Sequence, residues 1–67
     1  MSKEDFIGKK VCVDLLDGCR LIGVLFPSPA GSLTLKRKTH MTFLSLSTVL
    51  SVRLAKFSDV EIPKTPH

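Results

Sequence analysis

The chain has no tryptophan and no tyrosine, and only four phenylalanines among its 67 residues. An aromatic-lined groove of the kind that takes proline-rich peptides is hard to build from that stock, and so is a stacking platform for single-stranded bases. Cysteine is scarce as well. Cys12 and Cys19 stand either side of an Asp-Gly pair, form no CxxC, and with two scattered histidines make no zinc set. The expectation is two reduced thiols in an intracellular protein. No apolar run approaches the roughly 20 residues of a membrane-crossing helix. No charged-then-apolar leader opens the sequence. Nothing reads as a helix longer than a turn.

Carboxylates are few and dispersed. Glu4 and Asp5 lie in the leading segment, Asp17 in a turn, and Asp59 and Glu61 in the tail; Asp14 alone falls on a strand pattern. No pair is placed for acid–base work. His40 in a turn and His67 at the terminus complete no nucleophile–base–orienter set. The reading is a protein that is not an enzyme and carries no cofactor and no metal.

What the sequence does contain is two-residue alternation. From Lys9 to Leu16, Val11, Val13 and Leu15 face one way and Lys10, Cys12 and Asp14 the other. Asp17-Gly18 then predicts a hairpin, because glycine accepts positive φ. A second strand runs from Arg20 to Phe26 with apolar residues on both parities and Gly23 in its middle, a sign of a bend or a close backbone approach. Pro27 and Pro29 open a loop that ends at Gly31, since proline cannot sit mid-sheet. A third strand is expected over Ser32 to Lys38, with Leu33 and Leu35 inward and Thr34, Lys36 and Lys38 outward. Thr39-His40 makes a turn, Met41 to Leu46 a fourth strand, and Val49 to Ala55 a fifth. From Lys56 on, the chain reads as an exit segment, extended or disordered. Residues 1–5 form a leading segment, 6–57 the domain, and 58–67 the tail or the start of a linker. A chain of this size holds one small domain that buries only about 60% of its unfolded surface. Five short strands within it predict an all-β, small, strongly bent antiparallel barrel without a long N-terminal helix.

Two surpluses remain. Ile22, Val24 and Phe26 on one face of the second strand, and Leu21 and Leu25 on the other, exceed what a tiny core takes easily, and Phe43 has the opposite parity to Leu44 and Leu46. Apolar excess on a small domain marks either a doubly covered strand or an interface. The formal net charge is +4, and Lys36, Arg37 and Lys38 with His40 make a basic hairpin tip. Such a tip is either a solvated edge or a candidate RNA contact.

The run FIGKKVCVDLLDGCRLIGVLFPSPAGSLTL resembles the first motif of the Sm/LSm family: alternating apolars, Asp17-Gly18, Leu21-x-Gly23-x-Leu25, then Leu33-x-Leu35. FLSLSTVLSVRL is similar to the second motif, two short strands joined by a tight turn. RNA-binding members carry an Asp-x-apolar-Met-Asn loop and an Arg-Gly pair. Here those positions fall on Ser28 to Ser32 and on Ser45 and Leu46, so both halves of the uridine pocket are missing. One divergent branch is closer, the N-terminal LSm domains of enhancer-of-mRNA-decapping scaffold proteins. Phe6-Ile7-Gly8, VDLLDGCRLIG, AGSLTL and the closing DVEIP all look similar to it.

That resemblance implies a cytoplasmic, processing-body adaptor in mRNA decapping, monomeric as an isolated domain. Such an adaptor binds short leucine-rich helical motifs of decapping factors, including the decapping enzyme's catalytic subunit, and has no membrane role. By parity, Val24, Phe26, Phe43 and Leu50 are the candidate peptide-binding residues, because a helical ligand brings an amphipathic face to a groove. The alternative is a ring-forming Sm-like protein that binds U-rich RNA, with Lys36, Arg37 and Lys38 compensating for the lost pocket. An SH3-like module reading another peptide is a third reading.

Overall fold

Alternation and the Asp17-Gly18 turn fold the first hairpin. β1 (Lys10–Leu15) and β2 (Arg20–Phe26) pair antiparallel, with Val13 opposite Leu21 and Val11 opposite Gly23. Gly18 adopts φ of 90°, a conformation other residues adopt only at a cost, and the Asp17 carboxylate accepts the Cys19 amide at 2.9 Å. The computed structural model describes residues 3–63. β3 (Ser32–Lys36), β4 (Met41–Ser45) and β5 (Val49–Leu54) complete one sheet in the order β4-β3-β2-β1-β5, with antiparallel neighbours throughout. Helical structure among the described residues is limited to 3-10 turns at Lys3–Phe6 and Leu46–Thr48. This is the all-β, strongly bent five-stranded antiparallel architecture that the alternation predicts, in the Sm-like, SH3-type form that the resemblance implies.

The inner face of the bent sheet carries the core: Val11, Val13, Leu21, Leu25, Leu33 and Leu35, all buried. Each contributes about 1.5–3 kcal/mol relative to exposure. Phe6, Leu15, Leu44, Val49 and Val52 pack around them. The Phe6-Ile7-Gly8 opening closes one end. Ile7 forms an isolated bridge to Leu25, and the Gly8 amide donates to the Leu25 carbonyl at 2.8 Å.

Gly23 marks the close approach its position in a strand suggests. A Cβ there would lie 2.7 Å from the Lys36 carbonyl oxygen and 3.3 Å from Cγ of Arg37. This crossing lets β2 divide its partners: Arg20 to Val24 pair with β1, while only Val24 to Phe26 pair with β3.

That division leaves the β3-side edge of β2 open at Arg20 and Ile22, and the chain fills it. Arg20 N donates to Ile62 O at 2.8 Å, Ile62 N donates back to Arg20 O at 3.0 Å, and Ile22 N donates to Oε2 of Glu61 at 2.9 Å. The expected exit segment is therefore corrected: residues 59–62 return to the sheet, because three backbone groups of β2 need partners. Residues 64–67, the rest of the expected tail, lie outside the described residues.

Smaller differences have similar causes. β3 stops at Lys36 rather than Lys38, because Arg37 N donates to His40 O at 2.9 Å and closes a hairpin. β4 stops at Ser45, whose hydroxyl accepts the Ser47 amide and starts the 3-10 turn. Thr34 faces outward as expected but is buried, and so is Cys12. Both cysteines are free thiols.

Candidate functional site

Residues directly opposite each other in antiparallel strands share a face, with Cβ atoms about 4.5–5.5 Å apart. On the outer face, away from the core, the register builds successive rows. Phe26, Thr34 and Phe43 form one, across β2, β3 and β4. Lys10, Val24, Lys36 and Met41 form the next, across β1 to β4. Ile22, Cys12 and Arg53 form a third, across β2, β1 and β5. Down the middle of the face runs an apolar spine on β2: Ile22, Val24 and Phe26.

Exposure along these rows is uneven. Phe43, on edge strand β4, is 74% exposed and Phe26 is 38% exposed, while Thr34 between them keeps only 8%. Val24 and Ile22 are half-buried. Of the candidate peptide-binding residues, Val24, Phe26 and Phe43 therefore share one face in neighbouring rows. Leu50 does not join them. It is the extra residue of a bulge on β5, where Leu15 pairs with Val49 while Asp14 pairs with Ser51, and it sits at the opposite edge of the sheet, 66% exposed.

Two residues of the spine, Ile22 and Val24, line a groove of about 940 Å³. The hairpin residues Arg37, Lys38, Thr39 and His40, the returning residues Asp59, Val60 and Glu61, and Lys10 and Lys36 line it as well. The candidate RNA contacts Lys36, Arg37 and Lys38 thus line the same groove as Val24, but they are not equivalent. Arg37 is spent on Glu61, with Nη2 to Oε1 at 2.6 Å and Nε to Oε2 at 3.0 Å. It also meets Nε2 of His40 at 3.3 Å. Arginine only donates, so His40 accepts there and its Nδ1–H points at Oγ1 of Thr39, 2.9 Å away.

The other two arginines are neutralised in the same way. Arg20 meets Asp14 at 2.6 Å. Arg53 forks onto Asp59 at 2.7 and 2.9 Å, and Asp59 also accepts the Lys56 amide at 2.6 Å. The Arg53 fork and that amide hold the Asp59 carboxyl far below the usual carboxylate range. Burial pushes the Glu61 carboxyl up, but the Arg37 and Ile22 donors outweigh it and the net shift is downward. The Arg20 hydrogen bond draws Asp14 down, against a smaller rise from burial. With every arginine paired, the uncompensated positive charge of the groove rests on Lys10, Lys36 and Lys38, none of which makes an ion pair or side-chain hydrogen bond among the described residues.

The Ser28–Ser32 loop turns inward on itself. Oγ of Ser28 donates to Ser32 O at 3.0 Å, and Oγ of Ser32 donates to Pro29 O at 2.9 Å. Gly31 O accepts the Leu46 amide at 2.9 Å, tying the loop to the β4–β5 connection. No group of three or more His, Cys, Asp or Glu side chains able to hold a metal occurs among the described residues. No described helix is long and apolar enough to cross a membrane. Comparison with protein-family models, characterised proteins and solved structures returns no match.

The paired state of Arg37 and the return of residues 59–62 escape sequence reasoning. Glu61 and Arg37 are 24 residues apart, with no local pattern linking them. The available signal was the unsatisfied edge that a glycine-bent strand leaves behind.

Proposed function

We propose that this chain is a non-catalytic adaptor of mRNA decapping that binds short leucine-rich helical motifs of decapping factors, the decapping enzyme's catalytic subunit among them. It works as a monomer, in cytoplasmic processing bodies. The observation that carries this reading is the outer-face apolar surface: the Phe26, Thr34 and Phe43 row beside Val24, with Phe43 mostly exposed on an edge strand. A contiguous apolar surface on a small domain is where a partner docks, and leucines at helical spacing present a matching strip. The partner class is what the resemblance to the divergent LSm branch implies. The self-bonded Ser28–Ser32 loop, which lacks Asp and Asn, argues against base reading at that position.

Titration of leucine-rich decapping peptides into isotope-labelled protein tests the proposal. Resonance shifts are expected at Val24, Phe26, Thr34 and Phe43. Spectra unchanged at millimolar peptide sink it.

A second reading, a ring that binds U-rich RNA, draws on the outer edges of β4 and β5, which pair with no other described strand, and on the charges of Lys36 and Lys38, which meet no carboxylate among the described residues. An open edge templates pairing with another chain. Light scattering separates the two readings, since a ring is several-fold heavier than the 7.4 kDa chain.

A further inference from the structure

We infer that the helix taken by this face is acidic: its apolar strip lies along Ile22, Val24 and Phe26, and Asp or Glu side chains on its flanks pair with Lys10, Lys36 and Lys38. This rests on the adaptor reading and specifies its partner. The argument is geometric. Val24 lies between Lys10 and Lys36 in a single row, so the apolar spine has a cation on either side, and Lys38 adds a third from the hairpin. From Ile22 to Phe26 the spine spans four residue steps, about 13 Å at strand rise. Two turns of helix cover about 11 Å. Leucines spaced over two turns therefore match the spine in length, and residues one helical position to either side come to lie over the lysines.

Charge complementarity selects an acidic peptide over other occupants. Among the described residues the lysines have no ion-pair partner, whereas both carboxylates lining the groove are already held by arginines, Asp59 by Arg53 and Glu61 by Arg37. An incoming carboxylate meets free cations and neutralised anions. A nucleic acid strand would meet the same cations, but Phe26 and Phe43 stand in the neighbouring row, outside the groove that the three lysines line, and base stacking on aromatic rings supplies much of sequence-tolerant single-strand affinity. The guanidinium that would fork onto a phosphate, that of Arg37, is occupied.

The test uses a leucine-rich helical peptide with glutamates flanking its leucines, the same peptide with glutamines there, and an oligo-uridine. Each is titrated by fluorescence anisotropy against the full chain and against the Lys10→Ser/Lys36→Ser/Lys38→Ser variant; the three lysines are exposed and make no side-chain bond among the described residues, so the fold is expected to survive. At low salt the glutamate peptide should bind about tenfold more tightly than the glutamine peptide, from three partly screened pairs. That advantage should vanish in the triple variant and shrink between about 50 and 300 mM salt. Equal binding of the two peptides overturns the acidic assignment and leaves the adaptor reading standing. No binding of either overturns the adaptor reading itself. Oligo-uridine binding that is lost in the triple variant, with the glutamate peptide unaffected, overturns the assignment by giving the lysines to phosphate.

Discussion

Arg37 in the β3–β4 hairpin and Glu61 near the end of the described chain clasp each other through two hydrogen bonds, at 2.6 and 3.0 Å. One oxygen of that carboxylate also accepts the Ile22 amide at 2.9 Å. A single side chain thus joins the hairpin, the open edge of β2 and the returning segment. Glu61→Gln keeps the shape but removes the charge that makes these bonds strong. The expected outcome is a lower melting temperature and faster hydrogen exchange at the Arg20, Ile22 and Ile62 amides, with core amides such as Leu35 exchanging as before. Uniform acceleration across the sheet would contradict the division into core and clasp.

Acid should act through the same segment. Asp14, Asp59 and Glu61 all titrate below their ordinary values of 3.8, 3.8 and 4.5. A carboxyl that binds protons less readily when folded contributes stability above its unfolded pKa. That contribution is lost as pH falls through the lower folded value. Calorimetry should therefore find a melting temperature insensitive to these groups from pH 7 down to about 5, then falling below about pH 4. The Asp59→Asn/Glu61→Gln double variant should start lower and fall less steeply. A parallel pH profile would refute the assignment.

Gly23→Ala tests the crossing of β2 under the end of β3. The added methyl would sit 2.7 Å from a backbone oxygen, which cannot rotate away. Displacing main chain in a packed site costs about 1–3 kcal/mol or more. Denaturant unfolding should show that loss, and hydrogen exchange at the Lys36 and Arg37 amides should rise. A variant as stable as the parent would mean that the two strands do not approach this closely.

The face and the core should separate cleanly under mutation. Leu35 is fully buried, so Leu35→Ala should cost about 2–5 kcal/mol. Phe43, mostly exposed, should tolerate Phe43→Ser within about 0.5 kcal/mol while weakening leucine-rich peptide binding severely. Leu50→Ser, at the bulge on the other edge, should change neither stability nor peptide binding appreciably. Loss of peptide binding with Leu50→Ser alone would move the site to β5.

Local signals made the strands readable and long-range ones did not. The ends of β2 follow from Asp17-Gly18 before it and Pro27 after it, and Gly23 announced its own bend. Leu50 was misleading because parity counts one residue per step, and a bulge inserts one that belongs to neither face. Thr34 reads as outward and is outward, but it is buried, and its row neighbours Phe26 and Phe43 come from two other strands that its own sequence neighbourhood does not announce. Arg37 reads as one of three similar cations because its partner arrives from 24 residues away. The candidate site was thus legible as a face, through Val24, Phe26 and Phe43, but not as a groove, because part of its lining is a segment that reads as an exit.

Cys12 offers a direct measure of how firmly that segment is held. It lies on the outer face yet has no exposure, between Ile22 and Arg53 in its row, and both neighbours bond to the returning segment. Burial pushes its thiol pKa up, against a partial lowering by Arg53, so the closed state is unreactive twice over: inaccessible and protonated. In a Cys19→Ala background, thiol labelling of the parent should be slow. Asp59→Ala removes the fork that holds Arg53 and should accelerate labelling several-fold, while the core melts as one unit at only a slightly lower temperature. Labelling that tracks global unfolding in both proteins would show that Cys12 is sealed by the sheet itself and that residues 59–62 open only when everything does.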